Sequence, residues 1–190
     1  MFGWKTAPFF RSIARINHAV TEPHPSDTSW LRYSVRPFPV YRFVPGKNPH
    51  PRRDPHGHSY GKPEPTPSAF QHEEWHQSEE YLYGIDLYNF AYWWECHEVF
   101  EGLWHAVGHD TEQGNFLQAL IQFAAANLKQ FLGNHQAAGK LLTSGMFRLQ
   151  KTPRFYMGID VEVLNENLRR HMADSNFRAP LIRLHKQDLA

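Results

Sequence analysis

The stretch "WWECHEVFEGLW", residues 93–104, decides the fold, because it sets a histidine and three glutamates among three tryptophans. On a helical wheel of about 100° per residue with His97 at the origin, Trp93, Glu101 and Trp104 fall within about 40° of it. Phe100 and Trp94 lie about 60° away on either side. His97 and Glu101 therefore sit one turn apart inside the apolar arc. Glu95 falls on the opposite, wet face and Glu98 on the flank. Burying an imidazole and a carboxylate costs several kcal/mol unless each finds a partner. Three arrangements supply one: the two groups pair with each other, they meet polar groups of a neighbouring helix, or they share a metal ion.

Helical signals continue on both sides. "SAFQHEEWHQSEEYLY" after Pro67 predicts a first helix over 68–82 that ends near Gly84. Asn89 is placed to cap the second helix, over 90–107, with Gly108 as its stop. Asp110 and Gln113 have capping-box spacing before a third helix, "FLQALIQFAAANLKQFL", which is apolar almost all round and so belongs at a bundle centre. Gly133 and Asn134 give a stop and a cap before a fourth helix over 135–151. Pro153 ends that helix, and Asp160 caps a last one over "VEVLNENLRRHM". Short connections make the neighbours antiparallel. The expected fold is an all-α, small antiparallel bundle of four to five helices.

Eleven of the fourteen prolines fall between Pro23 and Pro67. Proline fixes φ and removes a donor, so this region holds neither a long helix nor a central strand. The expected division is an irregular proline-rich arm over 1–67, a helical domain over 68–175 and a C-terminal tail over 176–190. "RPFPVYRFVPG" offers one short extended segment. The first twenty residues have no signal-peptide block. Lys5, Arg11 and Arg15 alternate there with Phe9, Phe10, Ile13 and Ile16, as in a short basic amphipathic helix, a transit peptide or a frayed terminus.

The arm also carries candidate chemistry. "GKNPHPRRDPHGHSYG" packs His50, His56 and His58 between prolines. If the arm folds back, His58 or His50 completes a three-ligand site with His97 and Glu101, leaving an open position for water. Alternatively it is an exposed linker. "HEVFE" has the start of the H-E-x-x-H zinc-protease pattern with Glu101 replacing the second histidine; Glu98 then stands where a general base acts. Gln118 and Gln122, i and i+4 on a greasy helix, are expected to face His97 and Glu101. Trp93 and Trp104 belong to the core or wall a pocket. Arg53, beside Lys47 and Arg52, is suited to a phosphate. Cys96 points about 100° from His97 and reads as a small core residue. Arg148, Lys151 and Arg154 are expected to solvate a helix C-terminus.

These residues resemble the family known as domain of unknown function 309. Its motif H-x-x-x-E-x-x-W is matched by His97, Glu101 and Trp104 within "AYWWECHEVFEGLW". "FLQALIQFAAANLK" and "GNHQAAGKLL" resemble its following helices, and "PHPRRDPHGHSYG" resembles an N-terminal extension of a subset of members. The resemblance covers about residues 40–150; Cys96 departs from it, where alanine is expected. It implies a small helical bundle and puts His97 and Glu101 forward as metal ligands, but it carries no activity.

Thirteen histidines and a net charge of +1 steer the functional reading. Near-neutrality gives no strong nucleic-acid or anionic-membrane signal. One cysteine excludes an intrachain disulfide and agrees with a cytoplasmic setting. No apolar run reaches membrane-spanning length. The expected function is divalent-metal binding, zinc or manganese suiting N and O ligands, in a metal-dependent hydrolase acting on a small molecule. The competing expectation is a non-catalytic scaffold whose His–Glu–Gln cluster fixes packing and whose leftover apolar faces form a homodimer.

Overall fold

The computed structural model describes residues 22–173 and 178–185. The amphipathic or transit segment expected over the first twenty residues lies outside them. Five α-helices carry the described structure: α1 (Glu79–Asn89), α2 (Trp93–Val107), α3 (Glu112–Phe131), α4 (His135–Arg148) and α5 (Val161–Ala173). Helices α1 to α4 pack in sequence, each against the next, as short connections require. The all-α bundle is what the residue pattern predicts. A two-stranded antiparallel hairpin, β1 (Phe155–Tyr156) with β2 (Ile159–Asp160), precedes α5 and is not foreseen by it.

Several boundaries differ for identifiable reasons. Residues His72–Gln77 form a 3-10 turn, and α1 starts only at Glu79 because the Ser78 side chain accepts the Tyr81 N–H. Gly84 does not end α1. It lies inside, where a Cβ would sit 2.5 Å from Phe100 Cε1, so the missing side chain lets α1 and α2 close on each other. Asn89 is not the cap of α2. It ends α1, and its buried amide takes the Ile182 N–H at 2.7 Å and donates to the Ile182 carbonyl at 2.8 Å. Thr111, rather than an Asp110–Gln113 box, caps α3 by accepting the Gly114 N–H. Asn134 and Asp160 do cap α4 and α5. Arg148 is in the last turn of α4 as expected and donates to Asn115 on α3, Lys151 ends the following 3-10 turn, and Arg154 pairs instead with Asp160 and Glu162.

The core runs along α1, α2 and α3 through Ile85, Leu87, Phe100, Leu103, Phe116, Leu120 and Phe123, all fully buried. Cys96 is buried with them, and burial pushes its thiol well up, as for an inert core residue. Over 22–70 the chain forms no helix or strand. It nevertheless lies on the bundle. Phe43 and Val44 are buried, Phe38 stacks on Tyr92 at 4.8 Å, and the guanidinium of Arg32 lies 3.9 Å from the centre of the Phe38 ring.

Candidate metal centre

Helix α2 brings the candidate residues together because its apolar arc packs on α1 and α3 while one flank stays open. His97 is 9 % exposed, Glu101 is half-buried and Glu98 is exposed. One ligand atom from each of the three lies within 4.8 Å of the others. His97 Nδ1 is 3.4 Å from Glu98 Oε1, yet it is buried without a hydrogen bond. The Trp94 ring stacks over the imidazole at 5.8 Å and fixes its plane. One nitrogen and two carboxylates grouped at an imidazole with an unsatisfied buried nitrogen could make a donor set for a divalent cation. The three grade from buried to exposed, so the cluster opens to water on one side.

Glu98, expected on the flank as a base, thus stands among the donors. Glu95 is a correction: it is not on a wet face. It is 7 % exposed, and its Oε1 accepts the Phe43 N–H at 2.9 Å and meets His58 Nε2 at 3.2 Å. The wheel presumes solvent opposite the core, whereas the arm covers that side. No periodicity signals this residue; the histidines and prolines of the arm are the only hint.

The arm histidines are placed differently from each other. His58 meets Glu95 through Nε2 and Ser59 Oγ through Nδ1. His50 lies against Phe43 and against Trp94, at 5.1 and 5.6 Å between ring centres. It shares Trp94 with His97 but is not within the three-residue donor group. Burial, then the Arg53 cation, lowers its pKa, and Glu98 opposes them. Arg53 itself is exposed.

The glutamine stripe does not face His97 as a unit. Gln122 Nε2 donates to Ser144 Oγ on α4 at 3.1 Å, and Gln118 is half-buried. A helix buried on several sides gives its amides more than one neighbour to choose from. Trp93 is core, its indole donating to the Tyr88 carbonyl at 3.2 Å. Trp104 is half-buried beside the cluster.

Residues 81–141 match the family model described as Domain of unknown function (DUF309). The match begins in α1 and ends in α4, and it contains all three donors. The arm lies outside it. No curated protein matches the chain. Among the described residues, no helix is long and apolar enough to cross a membrane.

Proposed function

We propose that the protein binds a divalent metal ion, zinc or manganese, through His97, Glu98 and Glu101, and acts as a metal-dependent hydrolase on a small molecule. The single observation that carries this reading is the convergence of three donors around the unsatisfied, buried His97 Nδ1. A bound ion would supply Lewis acidity and a more acidic water. His97, locked under Trp94, orients the site from its buried side. The Glu98 carboxylate oxygen not engaged with the ion would take a proton from water at the exposed rim. His50, held on Trp94 and kept neutral by burial, is the arm residue suited to complete the set; His58 is committed to Glu95. Trp104 walls the site, and the exposed Arg53 suits an anionic group on the substrate.

The test is metal content after purification without chelator. The full chain should carry about one ion, and His97→Ala should carry none. A metal-free wild type, or unchanged content in the variant, overturns the proposal. The 3.4 Å approach of His97 to Glu98 favours one other reading, a scaffold in which the pair only fixes packing. In that case Glu101→Gln lowers stability while no ion binds, and a solution mass should reveal a dimer that buries the exposed Phe147, Phe155 and Val163.

A further inference from the structure

The spacing of four that links His97 to Glu101 continues to His105 and His109. His105 is in the last turn of α2 and His109 lies just beyond it. Gly108 has φ of +91°, a backbone conformation that glycine tolerates and that turns the chain back on the helix end. The His109 ring then stacks on Trp104 with centres 3.9 Å apart and planes 15° from parallel. His109 Nε2 comes to 2.8 Å from His105 Nδ1. Both histidines are exposed.

We propose that His105 and His109 form a second metal site, a surface pair of imidazoles that chelates a transition-metal dication, copper(II) most tightly. Metal–imidazole bonds run about 2.0–2.1 Å, so nitrogens 2.8 Å apart subtend about 85° at a shared ion. That is the cis angle of square-planar or tetragonal coordination, the preference of copper(II) and nickel(II). Imidazole suits these ions, and copper heads the divalent affinity order. Chelation swings both nitrogens off the nitrogen–nitrogen line: the His109 ring turns in its own plane on Trp104, and the exposed His105 ring follows. The C-terminal carbonyls of α2 favour a cation here. His105 lies two turns from His97 but one turn from Glu101, about 6 Å along the axis, so the two donor sets are neighbours told apart by the His97→Ala background.

The experiment is a titration of the full chain with copper(II) chloride, followed by calorimetry and tryptophan fluorescence. In a His97→Ala background the copper site should persist. Adding His105→Ala or His109→Ala should weaken it at least about tenfold, with an unchanged circular dichroism spectrum because both rings are exposed. Copper binding should also quench tryptophan fluorescence, because His109 is stacked on Trp104. Copper binding that is absent in the His97→Ala protein, or indifferent to both histidine substitutions, overturns the inference. The hydrolase proposal is read separately, from the metal retained by wild type and lost with His97.

Discussion

The arm over 22–67 and the bundle of α1–α4 are held in place by different means. In the bundle, helices satisfy their own backbone and apolar side chains supply the packing. The arm has no regular structure, so its backbone donors need other acceptors. Three buried polar side chains on the helices serve the irregular segments. Asp86 takes the N–H groups of Tyr33 and Ser34, both at 2.9 Å, and the Arg32 side chain at 2.8 Å. Glu95 takes the N–H of Phe43, and Asn89 grips Ile182 near the other end of the chain. Buried polarity on a helix is thus the mark of something docked on it. The same sign has several causes among the described residues: an anchor for chain at Asp86, Asn89 and Glu95, a helix–helix contact at Gln122, and a candidate ligand cluster at His97.

Breaking an anchor should therefore cost as much as breaking the core. Asp86 is fully buried, and Asp86→Ala leaves Arg32 and two backbone N–H groups without their acceptor. The expected loss is about 3–5 kcal/mol, comparable to the cost expected for Phe100→Ala. Chemical denaturation of both variants checks this. A loss below about 1 kcal/mol for Asp86→Ala would mean that ring contacts alone dock the arm.

Glu95→Gln sharpens the contrast at smaller cost. The amide still accepts the Phe43 N–H but loses its charge toward His58. A loss of about 1–3 kcal/mol is expected, together with faster proteolysis near residues 52–62. Metal content at His97 should stay unchanged, since Glu95 faces the arm. If metal is lost as well, arm and cluster act as one unit.

The helices were legible because their signals are local. The caps at Asn134 and Asp160, the stop at Gly108 and the apolar α3 all belong to short stretches of chain. The inward turn of His97 was legible from periodicity, and the burial of Cys96 from the chemistry of a small apolar thiol. What escaped depends on contacts between distant residues. Glu95 looks solvent-facing until residues more than thirty positions earlier cover it. Gln122 has two helices to choose from and takes α4. Asn89 has the composition of a cap, yet it is claimed by Ile182, 93 positions away. The hairpin at 155–160 consists of two-residue strands, too short for an alternating pattern to register.

The smallest expected effect concerns acid. Among the arm residues, His50 joins the two regions through Trp94, and its imidazole is held below its ordinary value because burial and Arg53 both disfavour the cation. The unfolded chain leaves the histidine near about 6.5, so between that value and the lower folded one the unfolded state binds more protons. Stability is then fully present above about pH 6.5 and declines as pH falls through the folded value. Tyr88 and Cys96 in the core behave differently: burial pushes both upward and they stay neutral throughout this range. The urea midpoint of wild type should accordingly fall more steeply below about pH 6.5 than that of His50→Gln, whose amide does not titrate. Parallel curves for the two proteins would show that protonating His50 costs the docked arm nothing. The arm would then be held by its anchors at Asp86 and Glu95, with the Trp94 contact contributing only packing.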